Sequence, residues 1–186
     1  MRAYYYFIAQ LPSLIYEQKP PMSSAHFKAL AEDLLEDGDL KAMDYLTFND
    51  VFSAKKSNCA FVNNWKSWER ALKLNLAKER ALKLKKDVQI TDIPFFPQEA
   101  AITAVKAVDE KSPLDGEVLL DKARWTAIDS IAGSDYYSVN NIYAYYLKLL
   151  LLERKQSFNT EKGFAEYKTL YAEILESAQN SPGETK

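Results

Sequence analysis

The chain has 186 residues, 47% of them apolar and 27% charged, which suits one compact soluble domain burying about two-thirds of its unfolded surface. Its 24 basic and 26 acidic residues leave it near neutrality, so bulk charge draws it to no nucleic acid. With 5 Gly, a lone Cys59 and a lone His26, it carries no GxGxxG or Walker A loop, no disulfide framework, no Cys/His zinc site and no Cys-His or Ser-His-Asp mechanism.

The opening Met1-Arg2-Ala3-Tyr4-Tyr5-Tyr6 lacks a signal peptide's apolar run and cleavage site, which leads to a cytoplasmic expectation. Tyr4 to Ile8 is an aromatic block that β-propensity would allow as a strand. Pro12 close behind it favours a short helix or irregular segment. Ser23-Ser24 reads as the N-cap of a helix with Phe27, Leu30, Ala31, Leu34 and Leu35 at helical spacing. Asp37-Gly38-Asp39 is expected to break it, with a second short helix over Leu40 to Leu46. Asn49 to Asn58 reads as a polar loop.

A long helix is predicted over roughly Val62 to Lys86, with Trp65, Trp68, Leu72 and Leu76 on one face. Pro94 and Pro97 end the pattern in the segment Val88 to Pro97. An Ala-rich helix spans Gln98 to Val108 with Pro97 at its first turn. The next helix runs from about Leu114 to Ala132, with Gly133 as its C-cap. Ser134 or Asp135 restarts the chain into a helix through Arg154. Its stretch Ile142 to Leu152 is apolar on nearly every face, as a central buried helix would be, and falls short of the about 20 apolar residues that span a membrane. A last helix, Thr160 to Ala178, gathers Phe164, Tyr167, Tyr171, Ile174 and Leu175 on one side. The expectation is an all-α multi-helix bundle of about seven helices. It forms a single domain over 1–180, divisible into lobes 1–60 and 61–180, with a disordered tail over 181–186.

Lys66, Arg70, Lys73, Lys78, Arg80 and Lys83, continued by Lys85 and Lys86, face only Glu69 and Glu79 in the long helix. These six are the candidate partner-binding face, suited to an acidic protein, RNA or lipid headgroups. The competing reading is a solvated outer face whose long stems cover apolar surface. Trp65 and Trp68 share a face and could stack bases, but Leu72 and Leu76 extend the same stripe and mark it as core. The acidic cluster from Glu32 to Asp39 reads as solvated helix ends, and Asp115, Glu117 and Asp121 read as favouring a helix start through its dipole. His26 and Cys59 have no partner pattern, so no metal or other cofactor is expected. Tyr136, Tyr137, Tyr143, Tyr145 and Tyr146 need hydroxyl partners if buried, so some of them should reach the surface.

Three stretches together carry a family resemblance. They are Tyr4-Tyr5-Tyr6-Phe7-Ile8-Ala9-Gln10-Leu11-Pro12; Trp65-Lys66-Ser67-Trp68-Glu69-Arg70-Ala71-Leu72 continued to Arg80-Ala81-Leu82; and Leu120-Asp121-Lys122-Ala123-Arg124-Trp125 followed by Tyr146-Leu147-Lys148-Leu149 and Leu152-Glu153-Arg154. The chain resembles an uncharacterised bacterial family encoded among V-type ATPase genes, notably in spirochaetes and Bacteroidetes. That family is similar to a shortened V-type ATPase C subunit, called d in eukaryotes. The resemblance implies a non-catalytic helical adaptor at the cytoplasmic face of the inner membrane, its partners the membrane rotor ring and the central-shaft subunits. It defines no functional residue to carry over. The rival expectation is a stand-alone protein that uses the basic helix on RNA or anionic lipid.

Overall fold

The computed structural model describes residues 4–49, 51–52, 57–86, 97–158 and 160–180, with residues 160–162 and 178–180 described as backbone only. The expected polar loop at 49–58 lies partly outside the described residues. So does the segment before Pro97, and the tail 181–186 falls wholly outside them.

Among the described residues the protein is all-helical, with eight helices. The aromatic block forms α1 (Tyr5–Gln10), which stops at Leu11, the residue before Pro12, where the backbone turns extended. In α2 (Ser24–Leu34), Ser23 is the N-cap and its hydroxyl accepts from the His26 backbone N–H at 3.1 Å. That places His26 in the first turn, with its imidazole on the surface.

Asp37-Gly38-Asp39 does not break a helix; it opens one. The extended residues are Leu35 and Glu36, and α3 (Asp37–Met43) begins with both aspartates in its first turn, where the helix dipole favours them. Asp39 is tied down further, since its carboxylate accepts from the Tyr4 hydroxyl at 2.6 Å and its carbonyl from the Tyr143 hydroxyl at 3.1 Å.

The long helix α4 (Ala60–Lys83) starts two residues before the expected Val62 and ends three short of Lys86. Its end is a Schellman-type closure. Lys85 takes a positive φ of 52°, and the Lys86 N–H returns to the Ala81 carbonyl at 3.0 Å.

Next come α5 (Gln98–Asp109) and α6 (Pro113–Ala132), the latter capped by the Ser112 hydroxyl and ended by Gly133 at φ 78°. The restart waits until Ser138, so α7 is Val139–Ser157; Ser138 and Asn141 are engaged by the Asp135 carbonyl in the turn before it. Finally α8 covers Thr160–Asn180.

Helix α4 packs on α5 and α6, α5 on α6, α6 on α7, and α7 on α2. One cluster of buried apolar side chains runs from Phe7 and Phe27 through Trp65, Leu72, Ala104 and Ile128 to Leu147 and Leu149. As expected, α7 is the central strut, with Ile142, Tyr143, Ala144, Leu147, Leu149, Leu151 and Leu152 all buried. The Glu153 carboxylate at its far end accepts from both the backbone N–H (2.7 Å) and the hydroxyl (2.5 Å) of Ser24, fixing the start of α2 to the end of α7. Helix α8 differs from the rest. Its residues from Gly163 to Ser177 are all exposed.

Candidate functional site

The six cations proposed as one face of α4 do not share a fate. Lys66 is buried at 8% exposure, its ammonium 5.2 Å from the centre of the Tyr45 ring. Lys73 is partly buried; it donates to the Phe48 carbonyl and stands 4.0 Å from Glu69. Burial lowers the Lys73 pKa from its ordinary value, against the opposing pull of Glu69. Arg70, Lys78, Arg80 and Lys83 are exposed. At about 100° per residue these four are spread around the helix. Arg80 turns to Glu117 of α6 at 3.9 Å, and Lys83 donates to the Val108 carbonyl of α5. The six therefore form no single face: Lys66 and Lys73 belong to the packing, and Arg70, Lys78, Arg80 and Lys83 remain exposed on different sides of the helix.

Arg80 and Lys83 rim a groove of about 460 Å³ where α4, α5 and α6 meet, with Leu84, Ala107, Val108, Pro113 and Leu120 supplying its apolar walls. The close approach of α5 and α6 beside it depends on Gly116, because a Cβ there would stand 2.8 Å from the Ala107 carbonyl oxygen. Lys111 adds a third cation to the rim, and Glu110 and Glu117 set two carboxylates among them, so the groove has a rim of mixed charge over an apolar floor.

Beneath this surface lies a feature the sequence reading did not assemble, a buried ion network joining α4, α6 and α7. Glu69 is fully buried, Asp121 is 2% exposed and Arg124 is 4% exposed. The Arg124 guanidinium forks onto Glu69, donating from Nε to Oε2 and from Nη2 to Oε1, each at 3.0 Å. Its Nη1 donates to Asp121 Oδ1 at 2.9 Å. The same Oδ1 accepts from Arg154 Nη1 at 3.3 Å, and Arg154 Nη2 reaches Glu117 Oε2 at 2.5 Å. The chain of charges thus runs from Lys73 at one end to Arg80 at the other.

Burial raises the Asp121 pKa above its ordinary value even though Arg154 and Arg124 pull it down. Burial alone would lower the Arg124 pKa; Glu69 and Asp121 reverse that and raise it, so it stays cationic. No buried side-chain nitrogen or oxygen among the described residues lacks a partner. Each carboxylate of the network is bound to an arginine, so none is available as a general base. What the arrangement does is lock α4 against α6 and α7 and hold the basic end of α4 in a fixed orientation.

Asp121, read from sequence as a dipole partner of its helix start, is instead a core anion. The missed signal was positional. Glu69 falls on the stripe of Trp65, Leu72 and Leu76, and Arg124 on that of Leu120 and Ile128, so each is a charge on a core face.

Trp65 and Trp68 are core, 0% and 7% exposed and stacked on each other at 5.9 Å, so they offer no platform for bases. The tyrosines divide as their hydroxyls require. Tyr143 is buried on Asp39, Tyr145 donates to the Pro12 carbonyl at 2.9 Å, and Tyr136 and Tyr137 are exposed. Cys59 is a half-buried free thiol at the N-cap of α4. Among the described residues, no group of three or more His, Cys, Asp or Glu is placed to hold a metal ion. Among the described residues, no helix is long and apolar enough to cross a membrane.

A protein-family profile described as "Protein of unknown function (DUF2764)" matches residues 99–177, which covers nearly all of α5, the whole of α6 and α7, and most of α8. The α6 and α7 members of the ion network lie inside the match, and Glu69 and the rest of α4 lie before it. No curated protein matches the chain, and no solved structure does.

Proposed function

We propose that this chain is a non-catalytic helical adaptor, a subunit or accessory protein of a V-type ATPase that links the membrane rotor ring to the central shaft or aids assembly. The observation that carries the binding half of this reading is the basic end of α4. Arg80 and Lys83 are exposed at the rim of an apolar groove, and Arg70 and Lys78 are exposed elsewhere on the same helix, which is held from below by the Glu69–Arg124–Asp121–Arg154 network. A surface that must transmit force between two partners benefits from such rigid backing, since interfaces built on preorganised elements lose less on binding.

The assembly and its place at the cytoplasmic face of the inner membrane rest on the family resemblance of the three stretches quoted above. The non-catalytic part is supported by the arginine pairing that occupies every carboxylate of the network. Charge reversal of the four exposed cations together (Arg70→Glu, Lys78→Glu, Arg80→Glu, Lys83→Glu) should leave the fold intact and weaken incorporation into the ATPase. Undiminished incorporation would remove these cations from the interface. Binding of the unaltered chain to RNA or anionic vesicles at low salt, lost steeply as salt rises, would favour the stand-alone rival instead.

A further inference from the structure

Helix α8 carries six exposed large apolar side chains, more than any other helix among the described residues. Phe164, Tyr167, Leu170, Tyr171, Ile174 and Leu175 are between 45% and 63% exposed. Phe164, Tyr167, Tyr171 and Ile174 follow each other at intervals of three, four and three, the spacing of one amphipathic face and of two a/d heptads. Tyr167 and Tyr171 already stack on each other along this face, with ring centres 6.0 Å apart. Leu170 and Leu175 fall at the flanking g and e positions and widen the seam.

We infer that α8 is a self-association element that pairs in parallel with α8 of a second copy of this chain. The argument is one of charge placement and area. Glu166, Glu173 and Glu176 fall at c and f positions, away from the seam, so two copies meet without opposing like charges. In a parallel pair each g position faces the next e position of the partner, which sets Leu170 against Leu175 on both sides. Lys168, the charged e residue, faces Gly163, and its ammonium already rests 4.6 Å from the Phe164 ring centre.

At 45–63% exposure the six side chains leave roughly 600 Å² uncovered per chain. Full burial of that surface in both copies would remove at most about 1,200 Å², the lower bound for a specific, stable interface. The acidic polar face disfavours the other common use of an amphipathic helix, lying on an anionic membrane. This inference uses a different surface from the basic end of α4 and stands or falls separately from the adaptor reading.

The test is sedimentation equilibrium of the full chain over a wide concentration range. A reversible dimer is expected. Tyr167→Glu with Ile174→Glu should weaken its dissociation constant at least ~tenfold while leaving the circular dichroism of α1 to α7 unchanged, because both positions are exposed. The outward pair Glu166→Gln and Glu173→Gln should dimerise as the parent does. Orientation is read by Ile174→Cys in a Cys59→Ser background, which should oxidise to a cross-linked dimer if the helices run parallel. A monomer at every concentration would overturn the inference. So would a dimer indifferent to the two glutamates, a failure of the Ile174→Cys chain to cross-link, or a monomer that floats with phosphatidylglycerol vesicles through α8.

Discussion

Replacing Arg124 with Met should be the most damaging single polar change in this protein. The methionine fills most of the aliphatic volume, so the loss is mainly electrostatic. The side chain is 4% exposed and contributes three hydrogen bonds, two to Glu69 and one to Asp121. Without it Asp121 keeps Arg154 at 3.3 Å, but Glu69, fully buried, is left with Lys73 at 4.0 Å. Removing one partner of a buried pair costs about 3–5 kcal/mol, because the other charge stays desolvated. That is a large share of the 5–15 kcal/mol by which folded domains are ordinarily stable.

The companion change decides the cause. Glu69→Leu combined with Arg124→Met removes both charges and should recover about 2–3 kcal/mol of the single variant's loss, since an apolar replacement of a buried pair is often near neutral. Urea unfolding of the parent, both single variants and the double variant, with the slopes compared as a check on two-state behaviour, gives the coupling energy directly. A loss below about 1 kcal/mol for Arg124→Met, or no recovery in the double variant, would show that the network does not hold α4 to α6.

Alkaline pH should unfold the protein in a defined window. Burial raises the hydroxyls of Tyr16 and Tyr145 from 10.0 to about 12. Their neutral forms therefore stabilise the fold fully below pH 10, and that contribution is lost as pH rises through about 12, the unfolded chain ionising first. Urea midpoints should fall across that interval, and less steeply in a Tyr16→Phe, Tyr145→Phe variant; equal slopes would refute the assignment. Gly116→Ala would ordinarily gain stability in a helix, but here its Cβ meets the Ala107 carbonyl at 2.8 Å and α5 must shift, so thermal unfolding should show a loss of about 1–3 kcal/mol. Glu153→Gln should cost about 1–2 kcal/mol by weakening the charge-assisted bonds to Ser24, with faster amide exchange in the first turn of α2 as its local signature.

Much of this fold could be read from local chemistry. Ser23 and Gly133 mark helix ends through capping and backbone geometry that act within four residues, and the helix ends they mark stand where those signals put them. Asp37-Gly38-Asp39 went the other way because two aspartates and a glycine serve a first helical turn as well as a break. The choice was made by distant partners, the hydroxyls of Tyr4 and Tyr143 on Asp39.

The split within the basic helix was equally out of local reach. Lys66 and Lys73 differ from Arg70 and Lys78 only in which neighbours they meet, and Tyr45 and Phe48 lie far back in the chain. The Glu69–Arg124 fork spans 55 positions, and no spacing rule predicts it. A charge on an apolar stripe does announce that some partner must exist, and Glu69 among Trp65, Leu72 and Leu76 was such a charge.

The proposed role, a protein adaptor in a V-type ATPase, is open to test in the cell's own membranes. The most direct measurement is to tag the chain in its own organism, solubilise membranes gently and quantify what co-purifies. The adaptor account predicts recovery of catalytic and rotor subunits in fixed proportion to the tagged chain, reduced when the four exposed cations of α4 are reversed. Recovery of the chain without ATPase subunits, while an intact ATPase purifies separately, would contradict it.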